Sequence, residues 1–213
     1  MGIWDIAGAI IEGVVSVPVD VYYGSKRTLE DVGLFGRDVQ KQNAAERERL
    51  FALLKKAISN PKVIERIIRI IVSDFVEVIP PAMMDKINDS LTEGGAKFGA
   101  RKITQFSLAG FISSRLVGKI ITRQLAKRAA KFGVGFAVSA LLIQGTLERS
   151  SNASKRLLAV NPRVHRKLKS AKLDLIYFIV EEEMAPFVSI DALKLRDPDT
   201  YREFIKNLEG SLN

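Results

Sequence analysis

Between Val63 and Ile79 large apolar residues recur at steps of three and four: Val63, Ile64, Ile67, Ile68, Ile71, Phe75, Val78 and Ile79. On a helix turning about 100° per residue they share one broad face, and Glu65, Arg66, Arg69, Ser73 and Glu77 fall opposite. A half-buried strand needs strict alternation instead, and no stretch of useful length provides it. Asn60–Pro61 offers a start, because the asparagine side chain can accept free N–H groups while proline sits at the first helical position. Pro80 and Pro81 cannot continue the ladder. The spacing therefore predicts a helix over 61–79 whose wide apolar face other helices must cover.

The rest of the chain extends this pattern. Ile3, Ile6, Ala7, Ile10, Val14 and Val17 line one side of a helix over 3–17, opposite Asp5, Glu12 and Ser16, with Pro18 as the stop. "VYYGSKRTLEDVGLFG" reads as a connection, and Arg37 to Ile58 as a helix. Asn161–Pro162 repeats the start seen at Asn60–Pro61. Leu173 to Met184 reads as a compact apolar element whose Glu181, Glu182 and Glu183 form a solvated end. Asp197–Pro198 opens a last helix that Gly210 closes. The expected fold is all-α, a compact helical bundle with a central glycine-punctuated basic/apolar helical hairpin. Its expected parts are an N-terminal helical region 1–93, the hairpin 94–147 and a C-terminal short-helix region 148–213, in one folding unit.

Several classes of chemistry lose their basis at once. The 213-residue chain has no cysteine, so thiolate metal sites, disulfides and cysteine nucleophiles are excluded. Its single histidine, His165, stands among cations in "PRVHRKLK" and reads as a surface residue. No phosphate-binding loop, dinucleotide fingerprint or nucleophile elbow is present. The reading is a protein that is not an enzyme and needs no cofactor or metal. The opening "MGIWDIAGAIIEGVVSVPVD" lacks a basic n-region and places Asp5 and Glu12 within its apolar run, so no signal peptide is expected. Ile6 stands where a myristoylation signal would have Ser or Thr. The expected location is the cytoplasm of the producing cell.

Charge is distributed unevenly. The chain carries a formal net charge of +9. Residues 94–147 hold Lys97, Arg101, Lys102, Arg115, Lys119, Arg123, Lys127, Arg128 and Lys131 without one acid, whereas the flanking regions are close to balanced. Such asymmetry points to an anionic partner. Arg115, Lys119, Arg123, Lys127 and Lys131 recur every four residues, opposite Ile121, Leu125, Phe132 and Phe136. A helix with one cationic and one apolar side suits the headgroup boundary of an anionic bilayer. Each basic residue there contributes about 1 kcal/mol.

Two uncharged runs flank this ridge, Ile103–Ser114 and Phe132–Leu147. The second would reach about 24 Å as a helix, short of the roughly 30 Å hydrocarbon core. Insertion would then need snorkelling, tilt, thinning or oligomerisation. The side chains expected to enter lipid are Phe106, Leu108, Phe111, Ile112, Phe132, Val134, Phe136, Val138, Leu141, Leu142 and Ile143. Gly95, Gly99, Gly110, Gly118, Gly133 and Gly135 are expected to let helices approach closely. The nine cations of 94–147 are expected to bind the membrane.

The competing reading is a helical adaptor or a nucleic-acid-binding module that uses the same basic face. Phe98, Phe106 and Phe111 offer stacking surfaces, but no helix-turn-helix or ribonucleoprotein-type signature accompanies them. Glycine-punctuated, basic, marginally hydrophobic helices without enzymatic motifs resemble small pore-forming antibacterial effectors that depolarise membranes after delivery by a type VI secretion system. The resemblance implies a toxin acting on ion transport across a target-cell membrane, an immunity protein, a secretion-system carrier and a homo-oligomer in the membrane.

Overall fold

The structure, a computed structural model, describes residues 3–16, 60–93, 103–131, 140–196 and 198–210. The helix expected over 37–58 and the connection before it lie outside the described residues. Every element described is helical, so the chain is all-α.

Helix α1 (Ile3–Ser16) buries Ile6, Ala7, Ile10, Ile11 and Val14, the face its spacing defines. Helix α2 (Pro61–Glu77) begins where Asn60 accepts a hydrogen bond from the Lys62 N–H at 3.0 Å. It buries Ile64, Ile67, Ile68, Ile71, Val72 and Phe75, each worth about 1.5–3 kcal/mol against exposure. The helix stops at Glu77, two residues before the expected end, because the Val78 N–H turns back to the Phe75 carbonyl. Pro81 does not only end a helix. It opens α3 (Pro81–Glu93), in the first position where a missing N–H does no harm.

Helix α4 (Gln105–Lys131) is 27 residues long, about 40 Å. Its start is fixed twice. Thr104 and Ser107 form a reciprocal cap, with the Ser107 N–H donating to Thr104 Oγ1 at 3.3 Å and the Thr104 N–H to Ser107 Oγ at 3.1 Å. Asn88 of α3 accepts the Ile103 N–H at 2.7 Å and donates to the Met84 carbonyl at 2.8 Å, which ties the two helices together.

Helix α5 (Ala140–Val160) leads through Asn161 into α6 (Pro162–Ser170). Asn161 caps α6 through the Val164 N–H at 3.0 Å, as Asn60 caps α2. A 3₁₀ turn over Asp174–Ile179 precedes α7 (Glu181–Arg196), and α8 (Pro198–Gly210) closes the described chain. The expected single element from Leu173 to Met184 is thus two elements. Glu181, Glu182 and Glu183 start α7 rather than end its predecessor, and three carboxylates at a helix N-terminus complement its dipole. Glu182 is exposed as expected, but Glu181 is not: Arg156 of α5 grips it with Nε–Oε1 and Nη2–Oε2 both at 2.7 Å, the two side chains being only 16% and 17% exposed.

Helix α2 is the hub, packing against α4, α6 and α7, while α1 lies on α4, α7 and α8. One apolar cluster runs from Ile6 through Ile71, Ile112 and Leu157 to Phe187 and Phe204.

Candidate functional site

Along α4 the residues expected to meet a membrane separate by face. Leu108, Ile112, Leu116 and Ile120, four residues apart, are buried where α4 packs on α1 and α2. Leu108 and Ile112 are therefore core residues in this conformation. Phe111 is half-buried and meets Trp4 of α1 edge-on, with ring centroids 5.2 Å apart. Phe106 is 87% exposed in the first turn. Arg115 and Lys119 are exposed along one margin of the buried ridge. Gly8 leaves room for Arg115 to lie across α1, since a Cβ there would come within 3.3 Å of the guanidinium.

Among the described side chains of α4, the outward face from Ser107 to Thr122 has no charge. Ser107, Gly110, Phe111, Ser114, Val117, Gly118, Ile121 and Thr122 are all exposed or half-buried, and none is ionisable. Surface helices ordinarily turn charged residues to water. Within this face Gly110, Ser114, Gly118 and Thr122 form a stripe of small residues four apart. Ser114 Oγ donates to the Gly110 carbonyl at 2.9 Å and Thr122 Oγ1 to the Gly118 carbonyl at 2.8 Å, so both hydroxyls are satisfied inside the helix. A Cβ on Gly110 or Gly118 would meet nothing within 4 Å. Among the described residues neither glycine seats a neighbour. Gly110 and Gly118 are both expected from the sequence to serve close approach, and Ser114 and Thr122 complete their stripe.

Other expected site residues are described less fully or not at all. Arg123, Lys127, Arg128 and Lys131 lie on the last turns of α4, and Leu141, Leu142 and Ile143 on the first turn of α5, with side chains outside the described structure. Lys97, Arg101 and Lys102, with Gly95 and Gly99, lie outside the described residues. So do Phe132, Gly133, Val134, Gly135, Phe136 and Val138.

Sequence reading missed a polar clasp at the other side of α2. Asp74, with a side chain 2% exposed, receives Arg163 of α6 at 2.8 Å and Lys167, one turn on, also at 2.8 Å. Arg163 reaches Asp191 of α7 at 2.9 Å, and Lys167 reaches Glu77 at 3.0 Å. Burial is the largest single influence on Arg163 and Lys167 and opposes their charges, but hydrogen bonding to Asp74 and the attraction of the surrounding carboxylates together raise both pKa values above their ordinary ones. Asp191 moves up as well, mainly because burial disfavours its charge, although Arg163 pulls the other way.

Beside this clasp an open cleft of about 700 Å³ separates α2 from α6. Its polar lining is Arg66, Arg69 and Ser73 from α2 and Arg166, Lys167 and Ser170 from α6, without an acid.

His165 is not a surface residue. It is 7% exposed, with Nε2 3.1 Å from Ser154 Oγ, which also donates to Asp174 Oδ2 at 3.4 Å. Charged neighbours in the sequence misled the reading, because on α6 they point away while His165 turns inward with Val164 and Leu168. Serine, histidine and aspartate here are joined in the wrong order for hydrolysis. The Asp174 carboxylate meets the serine hydroxyl instead of the imidazole, the reverse of the order in which a catalytic triad is joined. The cluster is a buried tie between α5, α6 and the 3₁₀ turn.

Comparison with known protein families, curated proteins and solved structures found no match. Among the described residues no group of three metal-ligating side chains is placed to hold an ion, and no helix is long and apolar enough to cross a membrane.

Proposed function

We propose that this chain is a membrane-active protein that permeabilises a target membrane by forming a pore, with α4 as the element that leaves the fold. The observation that carries the reading is the charge-free outward face of α4 from Ser107 to Thr122, bordered by Arg115 and Lys119 and headed by the exposed Phe106. Arg115 and Lys119, followed by Arg123, Lys127 and Lys131, dock on anionic headgroups. The ridge Leu108–Ile112–Leu116–Ile120 then exchanges protein neighbours for lipid.

Magnitudes favour such an exchange at an acidic surface. Withdrawing the four ridge residues from the core costs about 1.5–3 kcal/mol each, and acyl chains return a similar amount. The balance is left to electrostatics, at about 1 kcal/mol per basic residue near an anionic leaflet. In lipid the Gly110–Ser114–Gly118–Thr122 stripe gives copies of α4 a surface for close approach, with its hydroxyls already satisfied. The type VI effector resemblance adds an immunity protein and a secretion carrier to this proposal.

Dye-loaded vesicles test it. Leakage should appear with phosphatidylglycerol and fade in pure phosphatidylcholine, and directing the chain to the periplasm should be toxic. No leakage at any composition and no toxicity would reject the reading. Lipid-free binding to DNA that weakens steeply with salt would favour the nucleic-acid reading instead.

A further inference from the structure

We infer that the cleft between α2 and α6 binds a phosphate group, a site separate from the α4 surface and independent of the membrane reading. Two observations carry it. First, the lining brings together Arg66, Arg69 and Ser73 of α2 with Arg166, Lys167 and Ser170 of α6, and holds no carboxylate. Second, its cations are not equally committed. Lys167 is held by Asp74 and Glu77, and Arg69 by an exposed pair with Glu65 at 2.8 Å, whereas Arg66 and Arg166 make no ion pair among the described residues. Two guanidiniums, one from each helix and each a planar fork of donors, match the oxygens of one phosphate.

The end of α6 beside the cleft is capped by its own backbone. The Leu173 N–H bonds the Leu168 carbonyl at 2.8 Å and the Lys172 N–H the Lys169 carbonyl at 2.9 Å, with Lys172 at φ 59°. The Ala171 N–H takes the Lys167 carbonyl at 3.2 Å. These bonds satisfy acceptors of the last turn. The remaining lining is rich in donors. The cleft is open, so the phosphate sits at its mouth with the rest of its molecule outside, as a soluble phosphate or a lipid headgroup both allow.

The probes are inorganic pyrophosphate, followed by calorimetry, and sedimented vesicles of phosphatidylglycerol in phosphatidylcholine. Full-length chain is compared with the double variant Arg66→Gln/Arg166→Gln and with the equally charged control Arg202→Gln/Lys206→Gln on α8. All four positions are exposed, and equal thermal midpoints confirm that each variant folds. The cleft variant should bind at least one probe about tenfold more weakly, as loss of charge-assisted hydrogen bonds implies, while the control stays within about twofold. A loss with pyrophosphate assigns a soluble phosphate, and a loss with vesicles alone assigns a headgroup. Dye release driven by α4 should persist in the cleft variant, so the two readings fail separately. Equal behaviour of the cleft variant and the control towards both probes overturns the inference.

Discussion

Arg163 holds Asp74 by both carboxylate oxygens, Nε to Oδ1 at 2.8 Å and Nη2 to Oδ2 at 2.9 Å, across 89 residues of chain. The carboxylate is almost fully buried and the guanidinium is partly in water, so the two partners are not equivalent. Arg163→Gln leaves a buried charge with Lys167 as its remaining cation. It should lower the unfolding free energy by about 2–3 kcal/mol, the range for a hydrogen bond to a charged group. Urea unfolding of Arg163→Gln, Asp74→Asn and the double variant gives the coupling directly, and the single losses should sum to more than the double loss.

His165 makes stability depend on mildly acidic pH. Burial lowers its pKa below the ordinary 6.5, the nearby Asp174 carboxylate partly restores it, and Lys169 lowers it further. The folded chain therefore holds this proton less tightly than the unfolded chain does. The stability it contributes is fully present above pH 6.5 and is lost as pH falls from 6.5 through the depressed folded value. Urea midpoints should drop between pH 7.5 and pH 5.5 in the parent protein, and the drop should be shallower in His165→Gln.

Lys172 is the one described non-glycine residue with positive φ, at 59°. It occupies the left-handed position of the motif that ends α6, where a Cβ is strained by about 1–2 kcal/mol. Glycine removes that strain but loses more entropy on folding. Lys172→Gly should therefore raise the unfolding free energy by about 0.5–1 kcal/mol, read from the same urea curves.

Gly118 separates folding from activity. Its would-be Cβ meets open space, so Gly118→Leu fits the folded chain and removes a poor helix former from α4. Thermal stability should hold or rise slightly. If the small-residue stripe mediates contact between helices in lipid, dye release should fall by about tenfold in the same variant. Unchanged release would place self-association elsewhere.

Much of the fold can be read from local spacing. The faces of α1 and α2 follow from apolar residues three and four apart, and Asn60 and Asn161 mark two helix starts by chemistry that acts within three residues. What escapes such reading depends on contacts far apart in the chain. Asp74 and Arg163 look like separate surface charges until α2 and α6 meet, and Glu181 resembles a solvated acid until Arg156 reaches it across 25 residues. The end of α6 is hidden for a different reason, since lysine rather than glycine takes the turn. On α4 the cation spacing sets the expected apolar side at Ile121 and Leu125, whereas the buried ridge runs through Leu108, Ile112, Leu116 and Ile120 and leaves Ile121 half-buried on the outward face. The uncharged outward face emerged only once the buried side was known.

The sharpest test uses Trp4, the single tryptophan, which lies edge-on against Phe111 of α4 and is 47% exposed in the folded chain. If anionic bilayers draw α4 out of its packing, adding phosphatidylglycerol vesicles should separate Phe111 from Trp4 and shift Trp4 emission to the red, while phosphatidylcholine vesicles should leave it unchanged. Emission that stays constant with vesicles of every composition would contradict the account.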